Sequence, residues 1–155
     1  MTRRMIDSSM WQNEKFHELP LCARLLQISL INAADDQGRT KATPKYLKVQ
    51  VFPFDEVSLD EIQQWLEIIQ ANGTIILYTA EGKQYAQLAN WWKYQALQYA
   101  QPSQHPRPPG WQDRIRRTAT KGLIVTYNWQ TVDGVQLTDT CDQDGIPLPK
   151  QHAKA

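Results

Sequence analysis

SLDEIQQWLEIIQANGTIILYTAEGKQYAQLA, residues 58–89, holds the signals that decide the fold. Ser58 followed three residues later by Glu61 has the spacing of a capping box. Leu59, Ile62, Leu66 and Ile69, with Trp65 beside them, recur every three or four residues and predict a helix with one apolar stripe. Gly73 suits the position just past its C-terminus. TIILYT and QYAQLA then read as two strands around the tight turn EGK, which predicts a β-hairpin.

Upstream, Thr43-Pro44 has the form of a helix start, with threonine as N-cap and proline in the first turn. That helix is expected to run through Tyr46, Leu47 and Val51 until Pro53 ends it. Residues 21–34 form a further helical pattern, with Leu21, Leu25, Ile28 and then Leu26, Leu30, Ala33 three and four apart, stopped by Asp35-Asp36-Gln37-Gly38. MIDSSMWQNEKFHELP predicts a short helical turn anchored by Trp11 and Phe16. Helix, helix, capped helix, hairpin is the order of a winged helix-turn-helix, so the expected fold class is α+β.

Downstream, Trp91-Trp92-Lys93-Tyr94 directly follows a strand. Trp91 is assigned to the core, whereas Trp92 is a candidate platform for stacking unpaired bases. QPSQHPRPPG holds four of the nine prolines and reads as a linker or extended arm. GWQDRIRRTATKG is expected to form one short basic helix. GLIVTYNWQTVDGVQLT has β-rich runs on either side of Asp133-Gly134 and predicts a second hairpin. The organisation expected is a winged helix-turn-helix over residues 1–95, a Pro-rich basic arm over 96–121, a hairpin over 122–138, and an acidic, flexible tail over 139–155.

The net charge of +1, from 17 Lys and Arg against 16 Asp and Glu, conceals segregated blocks. Residues 37–50 carry Arg39, Lys41, Lys45 and Lys48 with no acid. Residues 107–121 carry Arg107, Arg114, Arg116, Arg117 and Lys121 against Asp113 alone. Residues 133–144 are purely acidic. Such blocks create local fields that the total hides.

Signals for enzyme chemistry are weak. His17, His105 and His152 are isolated, and neither a catalytic triad nor metal-ligand spacing appears. There is no GxxxxGK[ST] loop, so no ATPase is expected. Asp142-Gln143-Asp144-Gly145 lacks the calcium-loop carboxylates, since Thr140 and Gln151 stand where the first and twelfth ligands belong. No cofactor or metal is expected. Cys22 and Cys141 lie far apart and fit a reducing, cytoplasmic setting. No apolar run approaches a membrane span, and the N-terminus lacks the apolar segment of a signal peptide.

RMIDSSMWQNEKFHEL, ARLLQISLINAADDQGR, PKYLKVQVFPFDEVSLDEIQQWLEIIQANGTIILY and ANWWKYQ together resemble the N-terminal winged-helix domain of phage and prophage replication proteins. This is the replisome-organiser group, similar to the N-terminal half of DnaD-like primosomal proteins. The resemblance spans roughly residues 3–95. It implies work at a replication origin, by binding DNA and assembling helicase-loading partners; winged helices of this group are also oligomerisation modules. The YxxxIxxxW motif of the second, helical domain of DnaD-like proteins is absent here.

In a helix-turn-helix the second helix of the motif normally enters the major groove. On the helix following Ser58, Gln63 and Gln64 are the residues able to read adenine edges, although Asp60, Glu61 and Glu67 share its outward side. Arg39, Lys41, Lys45 and Lys48 suit phosphate contacts that position without specifying, and Lys83 at the wing tip adds one. Four phosphate contacts would give a log–log salt slope of about −3.6 on duplex DNA. Arg107, Arg114, Arg116, Arg117 and Lys121 form a second nucleic-acid candidate. The alternative is that they pair with Asp139, Asp142 and Asp144. The expected function is a non-enzymatic, DNA-binding replication-initiation protein of a phage or mobile element, able to meet a helicase loader or a second copy. The competing reading is a protein–protein or oligomerisation module, or a transcriptional regulator, on the same scaffold.

Overall fold

The capping box at Ser58 starts the central helix. Ser58 Oγ accepts from the Glu61 amide at 3.1 Å, and the Ser58 amide donates to Glu61 Oε1 at 3.1 Å. The computed structural model describes residues 3–95, 97, 100–111, 113–119, 122–130 and 136–140, with backbone alone in the strands beyond 113. The chain divides into two compact units, Met1–Gln95 and Ala96–Ala155.

The first unit is α+β. Its helices are α1 (Glu14–His17), α2 (Leu21–Ala33), α3 (Pro44–Val51), α4 (Leu59–Ala71) and α5 (Trp91–Tyr94). Its strands are β1 (Arg39–Lys41), β2 (Ile75–Ala80) and β3 (Lys83–Leu88), in the antiparallel order β1-β3-β2. Ile62, Leu66 and Ile69 of α4 pack into the core with Leu26 and Leu30 of α2 and Leu47 and Phe52 around α3. Each such side chain contributes about 1.5–3 kcal/mol on burial. Leu59, expected in the buried stripe, lies in the first turn and stays 45% exposed. On α2 the two apolar rows separate: Leu26 and Leu30 face the core, while Leu21 and Leu25 are 75% and 50% exposed. Periodicity identifies both rows as one apolar sector, but the partner helix covers only part of it.

α3 begins as expected, with Thr43 Oγ1 accepting from the Tyr46 amide at 3.3 Å and Pro44 in the first turn. The β2–β3 turn places Glu81 at φ 53° and Gly82 at φ 75°, the pair of left-handed residues that a two-residue hairpin needs. Gly73 (φ 81°) closes α4, its amide donating to the Gln70 carbonyl at 2.8 Å.

The turn between α2 and β1 is a buried knot. Asp35 Oδ1 accepts from the amides of Gln37 (2.9 Å) and Arg39 (3.1 Å). Gln87 of β3 donates to the carbonyls of Gln37 (2.9 Å) and Gly38 (3.3 Å), and Trp91 Nε1 donates to the Asp36 carbonyl at 2.8 Å. Arg4 closes the outside, with an ion pair to Asp36 at 3.0 Å. Trp91 is buried as expected.

In the second unit, β4 (Arg114–Ala119), β5 (Gly122–Gln130) and β6 (Gln136–Thr140) form an antiparallel sheet in that order. β5 and β6 pair antiparallel, with Gln130 opposite Gln136, on either side of residues 131–135, where the expected hairpin turn falls outside the described residues. The basic segment is a strand and not the expected short helix. Ile115 and Thr118 are β-branched, and the ladder that sets Arg114 opposite Tyr127 and Arg117 opposite Ile124 satisfies its backbone. Lys121, Asp133 and the tail from 141 onward, with its Asp142–Gly145 motif, lie outside the described residues.

Candidate nucleic-acid interface

The four basic residues after the α2–β1 turn do not form one surface. Arg39 is 1% exposed, and its guanidinium donates to Gln87 Oε1 at 3.3 Å inside the domain. It is removed from the set of phosphate contacts, because β1 is drawn against β3 and its first residue is covered. Lys48 reaches forward past the end of its own helix and donates to the carbonyls of Phe52 and Asp55. These carbonyls follow the C-terminus of α3, where a cation also meets the negative end of the helix dipole. Lys48 is therefore half-buried and engaged in ending α3.

Lys41, Lys45 and Lys83 are exposed. Lys41 lies opposite Tyr85 in the β1–β3 register, with its ammonium 5.7 Å from the Tyr46 ring centroid. Lys83 opens β3, two residues before Tyr85. The next backbone bond, from the Ala42 amide to the Gln84 carbonyl at 3.0 Å, brings the start of α3 and Lys45 to the same end of the sheet. The chain thus gathers three cations around the β2–β3 turn and the N-terminus of α3. Glu81 in the turn is the acid among them.

Gln63 and Gln64 differ in kind. Gln63 is half-buried: Gln84 Nε2 donates to its Oε1 at 2.9 Å and to the Ala42 carbonyl at 2.8 Å, joining α4 to the sheet. Its own Nε2 donates to Glu67 Oε1 at 3.2 Å. Gln63 is consequently committed within the domain, whereas Gln64 is exposed beside Asp60, Glu61 and Glu67. That outward row of α4 repels phosphates.

Trp92 is half-buried on α5. In the second unit Arg107 is exposed and Trp111 is buried. Arg114, Arg116 and Arg117 are positions of β4.

Two features escaped the sequence reading. Arg4 and Arg39 were indistinguishable from surface cations, since their partners lie 30 to 48 residues away. Gln27, a polar residue inside the apolar pattern of α2, is buried, and its position within that pattern was the available signal. Among the described residues no group of three or more His, Cys, Asp or Glu is arranged to hold a metal ion, and no helix is long and apolar enough to cross a membrane. Comparison with protein families, with curated proteins and with solved structures gives no match.

Proposed function

We propose that residues 3–95 form a winged helix-turn-helix and that the chain is a non-enzymatic DNA-binding protein of the replisome-organiser kind. In this reading α3 and α4 are the helix-turn-helix pair and the β2–β3 turn is the wing. The observation that carries it is the convergence of Lys41, Lys45 and Lys83 at the wing end of an α2-β1-α3-α4-β2-β3 unit whose sheet runs β1-β3-β2. The contact is to phosphates and independent of sequence, because the outward row of α4 is acidic and Gln63 is engaged. The wing and the start of α3 approach the duplex backbone, and the basic segment from Arg107 to Lys121 adds to the field. Replication proteins such as a helicase loader, or a second copy, are the partners this role requires.

Fluorescence anisotropy with labelled duplex and single-stranded oligonucleotides, over a salt series, tests the proposal. Three phosphate contacts give a log–log slope of about −2.7 on duplex DNA, and a steeper slope brings in the 107–121 segment. Substituting Lys41, Lys45 and Lys83 together with Ala should remove most of that slope. Absence of binding at low salt, or a slope unchanged in the triple variant, refutes it. The second reading, a protein-binding module, is favoured by one observation: Leu59 and Ile68 stand exposed on α4 among its acids.

A further inference from the structure

A cleft of about 140 Å³ opens at the other end of the first unit, between the N-terminal segment and α2, β3 and α5. Its walls include Met5, Met10, Ile31, Trp91 and Tyr94, with Gln27 set among them. The hairpin register separates it from the lysine cluster: Ile75 pairs with Leu88 at the cleft end and Ala80 with Lys83 at the turn. Five residue steps of antiparallel strand are about 17 Å.

The cleft is built and held. Gln95 clamps the N-terminal segment at two points, accepting from the Met5 amide at 3.0 Å and donating to the Met5 carbonyl at 2.8 Å. Arg4, one residue earlier, donates to the Ala34 carbonyl at 2.9 Å. Trp91 is fixed by its bond to Asp36 and lies 5.2 Å beneath the Arg4 guanidinium. The wall formed by Met5–Met10 is therefore tied down at its Met5 end.

Within it, Gln27 is 6% exposed. Its amide nitrogen donates to the Met10 thioether at 3.8 Å, a weak acceptor, and its carbonyl has no hydrogen bond among the described residues. That weak contact is easily exchanged, so the Gln27 amide is the polar group of the cleft best placed to meet a ligand. No Lys, Arg or His lines the cleft, and Asp7 does. The Asp7 carboxyl is held below the ordinary carboxylate range, chiefly by its hydrogen bonds with Ser9, so it is anionic at neutral pH. The lining thus offers a phosphate no cation.

We propose that this cleft binds a neutral, planar nucleobase, with Gln27 pairing to an adjacent donor and acceptor on its edge. A side-chain amide forms that two-point pair with the N6 and N7 groups of adenine. An engineered apolar cavity of about 150 Å³ admits benzene, so the cleft takes in the N6/N7 edge of a purine and leaves the rest of the base at its mouth. Thioethers and the Tyr94 ring supply polarisable contact with its faces. The base comes either from a free nucleoside or from an unpaired position in a strand whose phosphates stay outside. The inference stands on the cleft and is independent of the winged-helix reading.

The test is an NMR titration of the full chain, labelled at side-chain amides and methionine methyls, with adenosine and separately with a single-stranded oligo-dA. Saturable shifts of the Gln27 amide and Met10 methyl signals are expected from at least one. Shifts by adenosine alone assign the free nucleoside, whereas shifts by the oligonucleotide assign a base in a strand. Gln27→Met keeps the side chain's length and removes the polar pair, and should weaken binding about tenfold. Tyr94→Ala, at the exposed rim, should weaken it about fivefold or more and gives a second readout if Gln27→Met unfolds. Absence of shifts at millimolar adenosine and oligo-dA overturns the proposal. Affinity unchanged in a folded Gln27→Met variant, or in Tyr94→Ala, does so equally.

Discussion

Gly38→Ala is the sharpest probe of the buried knot that joins α2 to β1. Gly38 has φ 82°, a conformation that costs alanine about 1 kcal/mol. A Cβ there would lie 2.7 Å from Trp91 Cγ and 2.9 Å from Gln87 Nε2, too close for either to stay. Trp91 and Gln87 are both buried and both hold carbonyls of the turn, so neither can retreat without breaking a bond. Forced repacking of this kind costs about 1–3 kcal/mol, and a lost hydrogen bond about 1 kcal/mol more. The expected total is about 3–5 kcal/mol. Gly73→Ala is the control: its φ of 81° is nearly identical, but nothing lies within 4 Å of the added Cβ. It should lose only the backbone component, about 1 kcal/mol. All the described helices lie before residue 95, so the helical circular-dichroism signal on heating follows this unit. At about 4–8 °C per kcal/mol for a unit of this size, Gly38→Ala should melt at least about 12 °C below the parent, and Gly73→Ala about 4–8 °C below. Equal losses in the two variants would show that only the left-handed backbone matters, and the packing of Trp91 against Gly38 would be refuted.

Arg39→Met should lower stability by about 1.5–3 kcal/mol through its lost buried hydrogen bonding, while leaving the salt slope of the proposed DNA binding unchanged; a shallower slope at undiminished stability would return Arg39 to the surface. Ser58→Ala removes one half of the capping box on α4 and should cost about 1 kcal/mol in urea unfolding, and a loss within error would mean the Glu61 side chain suffices. The Asp7 carboxyl should titrate below the ordinary range, and Ser9→Ala should move it upward, as read by carboxyl-carbon NMR. Because its folded pKa is depressed, its contribution to stability is present above the usual carboxylate pKa and is lost as pH falls through the folded value.

Local signals in the sequence located the elements, because their causes are local. A serine three residues before a glutamate, a threonine before a proline, and two β-rich runs around EGK each act within a few residues, and each lies where an element begins or turns. The basic segment 114–119 was misread as helical for the complementary reason: strand formation there is set by pairing with 122–127, which periodicity within the segment does not reveal. The candidate interface was legible in part. Lys41, Lys45 and Lys83 are exposed at one end of the unit, yet which of the cations in 37–50 would reach solvent depended on β1 lying against β3, a contact across more than forty residues.

Three further cations are held back from the surface by a common physical cause. Arg4 donates to the Ala34 carbonyl at the C-cap of α2, Arg24 to the carbonyls of His17 and Leu19 at and just beyond the end of α1, and Lys48 to those of Phe52 and Asp55 after α3. Each helix leaves its last carbonyls without backbone partners and carries partial negative charge at that end. In a unit of short helices such ends are frequent, and long basic side chains are well suited to reach them. Tallying Lys and Arg along the chain therefore overstates the positive surface, most of all just before and after helix C-termini. Lys45 lies in the first turn of α3 and Lys41 just before it, where the exposed backbone groups are amides, which need acceptors, and Lys83 opens a strand at a turn with no helix C-terminus beside it. That placement separates an exposed cation from one already held by a carbonyl, and it leaves the β2–β3 turn and the start of α3 as the end of the unit where lysines stand exposed.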